Sequence, residues 1–248
     1  MASLRAGLLC QRALFNDLRF THEDAGPPGS SRENVGGKRV RDLDLTGASS
    51  KWSQLTLVVS GRARGLDLCI AEALVEAGGK GVLFHLSAHT PPPEPDDSFA
   101  EARRRVLSEF AGELRYAQMN VRDNKSLDGV IARIAEKYEQ LDGLIAAAGI
   151  QKVCPAVDYT VADATEMLAT NYTSVFMTAT ATARQMLRFK TRSSIVLIAS
   201  MSGLVTNKDL ISPVYNSSKA TLIRLARNLA MEWGRIRTVA AAGLESMR

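Results

Sequence analysis

Tyr215 and Lys219 stand four residues apart in the run YNSSK, at the start of a helical pattern near the end of the chain. On a helix this spacing places both side chains on one face. An ammonium beside a phenol favours phenolate and lowers the phenol pKa from about 10, which makes tyrosine a usable acid or base. Ser202 precedes the pair, directly after an apolar run, where a hydroxyl can hydrogen-bond a substrate carbonyl. A YxxxK pattern alone is more often a surface helix face, but the three residues together predict a proton-transfer group.

A glycine-spaced turn follows the first strong apolar run, with Gly61 and Gly65 in SGRARGLD. Glycines at a strand-to-helix turn let the backbone approach a pyrophosphate, which the free N–H groups and dipole of the helix then stabilise. Two glycines can also be simple punctuation between a strand and a helix. Their place in the first strand–helix unit favours a phosphate-binding turn.

An alternation of strands and helices must hold these residues in place. Short apolar runs predict five strands, at 55–60, 81–87, 114–121, 141–149 and 193–200. Helical patterns lie between and after them, at 65–79, 98–112, 124–139, 160–189 and 212–233. This order predicts an α/β fold with a Rossmann-like, doubly wound parallel sheet covered on both faces. Ligands of such sheets bind beyond the carboxyl ends of the strands, where every motif named here falls.

Two details of the pattern concern the first helix and a further strand. Leu66, Ile70, Leu74 and Val75 share one face of the first predicted helix. Residues 236–240 have the composition to begin one more strand.

Composition and charge exclude several classes of function. The 248 residues carry a formal charge of +5, but lysine and arginine alternate with acidic residues instead of forming a basic patch, which argues against nucleic-acid binding. Cys10, Cys69 and Cys154 have unrelated spacings and no nearby histidine cluster, which predicts a reduced compartment and no metal site. The apolar runs are too short for a bilayer, so no membrane association is expected.

The N-terminal region is unlike the rest of the chain. Residues 1–20 alternate arginine with leucine at roughly helical spacing, which fits a mitochondrial transit peptide and a short amphipathic tail equally well. Residues 21–38 are rich in Gly, Pro and Ser and are expected to form a disordered linker. These patterns assign residues 1–39 to a leader and linker and residues 40–248 to the nucleotide-binding domain. The expected location is cytoplasmic, with mitochondrial as the alternative.

These motifs together resemble the short-chain dehydrogenase/reductase family over residues 40–234. The run Ser60 to Asp67 is similar to the TGxxxGxG cofactor motif of that family, and Ala146 to Gly149 is similar to its NNAG motif. Asn171 in TNYTSVF matches the asparagine of its catalytic tetrad. The runs LIASMSGLV and YNSSKATLIRLARNLAMEWG are similar to fungal polyol dehydrogenases, the sorbose reductase and arabinitol dehydrogenase group.

The resemblance implies hydride transfer between a nicotinamide cofactor and a secondary alcohol or ketone, with a polyol or ketose as the small-molecule substrate. By the same resemblance, Tyr215 exchanges the proton and Ser202 orients the oxygen. Lys219 assists the tyrosine and holds the nicotinamide ribose, while Asn171 positions a water. The implied cofactor-binding residues are Gly61, Arg64, Gly65, Leu66, Asn120, Val121, Ala147, Ala148, Gly149, Tyr215 and Lys219.

Charge near the adenosine ribose decides between the two nicotinamide cofactors. An acidic residue at the end of the second strand would bind the 2′-hydroxyl of NAD, but residues 86–89 contain no acid. The family associates a basic residue in the position of Arg64 with NADP. The sequence therefore favours NADP, with NAD as the alternative. The family also forms dimer faces from the two long C-terminal helices, which implies a homo-oligomer.

The chain departs from the family pattern at two main places. Asp67 occupies the third glycine position of the cofactor motif, where its carboxylate would repel a pyrophosphate by about 4 kcal/mol at 4 Å and an effective dielectric constant near 20. The family's last strands and substrate-covering helix have no counterpart after residue 234, so the chain is expected to be a truncated form. These departures leave a second reading open, a catalytically impaired relative that serves as an interaction or regulatory subunit.

Overall fold

The computed structural model describes most of the chain from residue 55 onward. The described ranges are 55–61, 64–76, 82–87, 98–110, 112–191, 193–206, 208, 211–234 and 236–241. The predicted leader and linker, and the predicted domain start at residue 40, lie outside these residues. Within them, no helix combines the length and the apolarity needed to cross a bilayer.

Strands and helices alternate along the chain as the sequence predicts. The strands are β1 (Leu57–Ser60), β2 (Val82–Ser87), β3 (Glu113–Gln118), β4 (Gly143–Ala146), β5 (Ser194–Ile198) and β6 (Arg237–Ala241). The α-helices are α1 (Gly65–Glu76), α2 (Ser98–Phe110), α3 (Asn124–Tyr138), α4 (Val161–Leu168), α5 (Ser174–Phe189) and α6 (Pro213–Trp233).

The strands form one six-stranded sheet in the order β3-β2-β1-β4-β5-β6, and every pairing is parallel. The order reverses between β1 and β4, so the loops that follow these two strands diverge and leave a crevice at their carboxyl ends. The predicted doubly wound parallel sheet is confirmed. The sixth strand includes most of the segment that the sequence identified as able to begin one.

Two apolar clusters cover the two faces of the sheet. Successive residues of a strand point to opposite faces, so Val58 packs with one cluster and Val59 with the other. Helices α3, α5 and α6 supply the first cluster, and α1 and α2 supply the second. Both faces are therefore dry, as the apolar strand sequences require.

Several boundaries differ from the sequence-based expectation, and the differences concern the site. Strand β3 ends at Gln118 and β4 at Ala146, so the residues expected to contact the cofactor after them lie in loops. Of the four residues that share one face of α1, Leu66 is 36% exposed, whereas Ile70, Leu74 and Val75 are buried. Leu66 lies in the first turn of α1, at the crevice end of the sheet, where the apolar strands no longer cover the helix.

The predicted helix over 160–189 contains a local change of geometry. Helices α4 and α5 are joined by a π-helical turn, Ala169–Thr173, in place of continuous α-helix. Such turns insert an extra residue into a helix and often occur at functional sites. Here the turn contains Asn171, whose side chain is fully buried.

Asp142 directly precedes β4, at the amino ends of the strands and opposite the crevice. It hydrogen-bonds to residues at the starts of β1 and β5. Its N–H donates to the Thr56 carbonyl, its carbonyl accepts from Ser194 N–H, and its carboxylate accepts from Thr56 N–H at 2.7 Å. Burial raises the pKa of the Asp142 carboxyl, and the hydrogen bond from Thr56 opposes that rise only in part.

Replacing Asp142 with asparagine tests this assignment. The raised pKa means that the folded protein holds the proton more tightly than the unfolded chain, so wild-type stability falls as pH rises from about 4 through the folded pKa. Asparagine does not titrate and keeps an acceptor for Thr56 N–H. We therefore expect Asp142→Asn to gain stability relative to wild type over that range in urea unfolding. If the difference in free energy of unfolding between the variant and wild type does not vary with pH, the raised pKa of Asp142 is contradicted.

Asp123→Asn is a control of opposite sign. The Asp123 carboxylate accepts hydrogen bonds from the hydroxyl and N–H of Ser126 at the start of α3, and these bonds lower its pKa. A lowered pKa gives stability that is present above about 4 and is lost as pH falls. The variant should therefore lose stability relative to wild type at neutral pH and approach it in acid.

Candidate functional site

Helix α6 carries the predicted tyrosine and lysine, and it docks against the turn that follows β5. That turn is a 3-10 helix, Met201–Gly203. A Cβ built on Gly203 would lie 2.7 Å from the backbone nitrogen of Ala220 and 2.8 Å from the carbonyl carbon of Lys219. Only a glycine permits this approach, which brings the turn containing Ser202 against the second turn of α6.

The ammonium of Lys219 is buried beneath this contact. The residue is only 4% exposed, and its Nζ donates to the Ile198 carbonyl at the end of β5, at 2.8 Å. The same Nζ lies 5.8 Å from the ring centroid of Tyr215, which is also buried. A cation over an aromatic face is attracted to the ring, and it stabilises negative charge on the phenol oxygen of that ring.

Asn171 connects the π-helical turn with the loop after β4. Its side chain accepts from Ile150 N–H at 2.8 Å and donates to the Ile150 carbonyl at 2.9 Å. The amide also donates to Ser218 Oγ at 3.0 Å, and Ser218 donates in turn to the Tyr215 carbonyl at 2.7 Å. This hydrogen-bonded chain holds the β4 loop in register with α6.

Two serines, rather than one, lie at the end of β5. Ser202, the serine of the predicted proton-transfer group, is buried. Its N–H donates to the Oγ of Ser200 at 3.0 Å. Ser200 is fully buried and begins the 3-10 turn in extended conformation. Sequence reasoning passed over Ser200. Its position as the last residue of the apolar run 193–200 is the signal that could have identified it.

The loop that follows β4 is fastened to the start of α6. The carbonyl of Lys152 accepts from the hydroxyls of both Ser212 and Tyr159, each at 2.7 Å. Two residues further on, Cys154 N–H donates to the Ile211 carbonyl at 2.9 Å. Sequence reasoning missed the hydrogen bond between Ser212 and Lys152, because it joins segments 60 residues apart with no motif.

The Lys152 side chain makes a separate contact with α4. Its ammonium lies 2.6 Å from the carboxylate of Asp163, and this hydrogen bond raises the pKa of the lysine and lowers that of the aspartate. Asp163 N–H also donates to the Thr160 hydroxyl, which caps the helix. The pair is exposed to solvent, so it orients the loop more than it stabilises the fold.

The predicted glycine turn lies on the other side of the crevice, between β1 and α1. Ala147 N–H donates to the Ser60 carbonyl at 3.0 Å, which joins the carboxyl ends of β1 and β4. Gly65 has a φ of +59°, and among the described residues no heavy atom outside its chain neighbours and the backbone of its own helix lies within 4 Å of the point where a Cβ would be. A ligand can thus approach the backbone at Gly65.

The same turn is filled at its other glycine. A Cβ built on Gly61 would lie 2.7 Å from the Cβ of Asp67 and closer still to its carboxylate. Arg64, the residue expected to recognise a ribose phosphate, is exposed beside this turn.

The remaining predicted cofactor residues extend the site along the sheet. Ala148 and Gly149 follow β4, and a Cβ on Gly149 would lie 3.4 Å from Lys219 Nζ. Asn120 and Val121 follow β3, where the Asn120 side chain accepts from Arg122 N–H. Four strand spacings of about 4.8 Å separate β3 from β5, so the predicted residues lie along a row about 19 Å long. Such a row suits an elongated ligand.

A nicotinamide dinucleotide fits this row at its β5 end and meets a negative charge in the middle, at the glycine turn after β1. The cradle formed by Gly149, Lys219 and Asn171 offers a cation and an amide to a ribose, and the backbone at Gly65 is open to a phosphate. At the glycine turn, however, Asp67 already supplies a carboxylate. Among the described residues, no group of three or more His, Cys, Asp or Glu side chains is arranged to hold a metal ion.

Known proteins share this architecture and sequence. Residues 55–244 match the family model described as short chain dehydrogenase. Galactitol 2-dehydrogenase of Rhizobium johnstonii is 34% identical over 194 residues, which are 76% of this chain and 71% of the relative. D-arabinitol 2-dehydrogenase of Scheffersomyces stipitis is 28% identical over 182 residues, which are 72% of this chain and 65% of the relative.

A solved short-chain dehydrogenase/reductase from Mycobacterium marinum has the same fold, with a TM-score of 0.68 at 23% identity over 78% of this chain and 77% of that one. The chain spans between 60% and 71% of the length of three curated relatives that it matches, the two dehydrogenases named above among them. The predicted similarity to polyol dehydrogenases is confirmed, because the matched relatives include galactitol and D-arabinitol dehydrogenases.

Gly203→Ala tests the docking of α6. Its Cβ would clash with backbone atoms, which cannot rotate away, so we expect a loss of about 2 kcal/mol in the free energy of unfolding. Gly129→Ala in α3 is the matched control, because its Cβ meets only the end of the Arg133 side chain at 3.5 Å. That change should stabilise the helix by about 0.5 kcal/mol. Equal effects of the two substitutions in urea unfolding would refute the close approach.

Proposed function

The chain belongs to the short-chain dehydrogenase family, and from that premise we propose that it interconverts a secondary alcohol and a ketone with an NADP cofactor. The observation that carries the proposal is the buried cation beside a buried phenol at the end of β5, formed by Lys219 and Tyr215. Burying a lysine is costly unless its charge is used or compensated. Here it lies one helical turn from a residue that can exchange a proton.

The roles of the side chains follow from their positions. The Tyr215 hydroxyl donates its proton to a carbonyl oxygen during reduction, and its phenolate takes the proton back during oxidation. Lys219 stabilises the phenolate, while Ile198 keeps the ammonium in place. Ser202 orients the substrate oxygen, and Asn171 positions a water for proton exchange. When bound, the nicotinamide supplies or accepts the hydride.

A polyol or ketose is the proposed substrate class. Support comes from the relatives, since proteins named galactitol 2-dehydrogenase and D-arabinitol 2-dehydrogenase match 76% and 72% of this chain. NADP rather than NAD is supported by Arg64, an exposed cation next to the glycine turn. We propose that its guanidinium pairs with the ribose 2′-phosphate.

A second candidate, an interaction or regulatory subunit without turnover, is favoured by the carboxylate of Asp67 in the glycine turn. The long helices carry exposed apolar residues, among them Leu187 and Met231, which supports a homo-oligomer under either proposal. Oligomers that hold a specific partner but neither bind nor oxidise NADPH would favour this second candidate.

Tyr215→Phe tests the proposed chemistry. The variant keeps the ring over Lys219 but removes the exchangeable proton, so turnover should fall by about 10²-fold or more. NADPH binding should be nearly unchanged. The measurement is NADPH oxidation with a panel of ketoses, and Tyr172→Phe, which makes the same change at an exposed ring, is the control. Full activity of Tyr215→Phe would exclude the proposed relay.

Ser202→Ala and Ser200→Ala separate the two hydroxyls at the end of β5. The proposed relay needs the Ser202 hydroxyl, so kcat should fall in Ser202→Ala. Ser200→Ala removes the acceptor of the Ser202 N–H, so a loss of stability should accompany any loss of activity. A loss of kcat confined to Ser200→Ala would transfer the orienting role to that residue.

Arg64→Ala tests the choice of cofactor. Loss of a charged hydrogen bond to the 2′-phosphate should weaken NADPH binding about tenfold and leave NADH binding unchanged. Arg104→Ala, an exposed arginine on α2, serves as the control. Equal effects of Arg64→Ala on both cofactors, measured by fluorescence titration, would count against NADP selectivity through this residue.

A further inference from the structure

The carboxylate of Asp67 lies over Gly61, inside the turn that connects β1 with α1. Gly61 is buried, and a Cβ at that position would be 2.7 Å from the Cβ of Asp67. A side chain at position 61 and the side chain of Asp67 therefore cannot occupy this space together. Asp67 is partly buried, so its charge is less well screened than that of a surface aspartate.

The other glycine of the turn has the opposite surroundings. Outside its chain neighbours and the backbone of its own helix, a Cβ on Gly65 would meet no heavy atom of the described residues within 4 Å, and its positive φ is a conformation that side chains disfavour. The backbone is thus accessible to a ligand at Gly65, whereas the space at Gly61 is filled by the protein's own anion.

The position of Asp67 on its helix favours a negative charge. It belongs to the first turn of α1, where the free N–H groups and the helix dipole attract negative charge. A pyrophosphate bound at the same turn would use the same attraction. The carboxylate and a pyrophosphate would repel each other if both lay at the N-terminus of α1. They therefore compete for its N–H groups and dipole.

We propose that Asp67 is a resident anion of the β1–α1 turn, which stabilises the cofactor-free protein and lowers its affinity for the pyrophosphate of a dinucleotide. The inference rests on the proposed function, because it concerns the cofactor of that reaction. It makes position 67 a determinant of cofactor affinity that acts by charge and by volume.

The proposal requires stability and affinity to change in opposite directions. Asp67→Asn removes the charge and keeps the volume, and Asp67→Gly removes both. Each variant should lose a few degrees of Tm without cofactor, since α1 loses its N-terminal anion. Each should also bind NADPH at least about tenfold more tightly than wild type. If Asp67 had only a structural role, its substitution would lower both Tm and the affinity for NADPH.

NADPH binding is measured by fluorescence titration of the full chain at low and at high salt. Salt screens charge repulsion, so the advantage of Asp67→Asn over wild type should shrink at high salt. Glu101→Gln is the matched control, because Glu101 is an exposed acid in the first turn of α2. It should lose a little stability and leave NADPH affinity unchanged.

The outcomes separate this inference from the proposed function. If wild type and both Asp67 variants bind NADPH equally, the inference is wrong and the proposed function stands. If none of the three binds NADPH, both are wrong. If only Asp67→Gly gains affinity, volume rather than charge is responsible, and the resident-anion proposal is overturned.

A second measurement tests the contact without any cofactor. Gly61→Ala should destabilise the wild type strongly, because the added Cβ meets Asp67. The same substitution should cost much less in the Asp67→Gly background, so the two changes should be clearly non-additive in urea unfolding. Additive effects would show that Asp67 does not fill the turn at Gly61.

Discussion

The burial of one ammonium group, that of Lys219, constrains most of the crevice. A cation removed from water needs oriented dipoles around it, and the Ile198 carbonyl at the end of β5 supplies one of them. That carbonyl can reach the cation only if α6 lies close to the strand end, and Gly203 permits this approach. The placement of the tyrosine, the two serines and the β4 loop follows from the same docking.

The β4 loop shows how backbone geometry becomes part of the site. Ile150 is held by both polar atoms of Asn171, and the Lys152 carbonyl is held by two hydroxyls from different segments. These bonds pair the N–H and carbonyl of Ile150 and the carbonyl of Lys152 with side chains of the protein. The loop is therefore shaped before any ligand arrives, which lowers the entropic cost of binding.

Much of this arrangement could be predicted from the sequence, because both its pattern and its motifs are local. Apolar strand runs predicted the parallel sheet, and the YNSSK spacing predicted that Tyr215 and Lys219 share a helix face. Ser200 and Ser212 were missed, since their roles depend on partners brought together only by folding. The difference in exposure between Leu66 and the other residues of its helix face could not be predicted either, because helical periodicity does not show where the sheet beneath a helix ends.

The π-helical turn at Asn171 fixes the rotational phase of a whole helix. An α-helix advances about 100° per residue, so the one extra residue in this turn offsets the faces of α5 relative to α4. Deleting a single residue there would restore regular α-helix, yet it would rotate either Asn171 away from Ile150 or the buried stripe of Ser174, Thr178 and Thr182 out of the core. The irregular turn thus reconciles two demands that a straight helix cannot meet together, one from packing and one from the crevice.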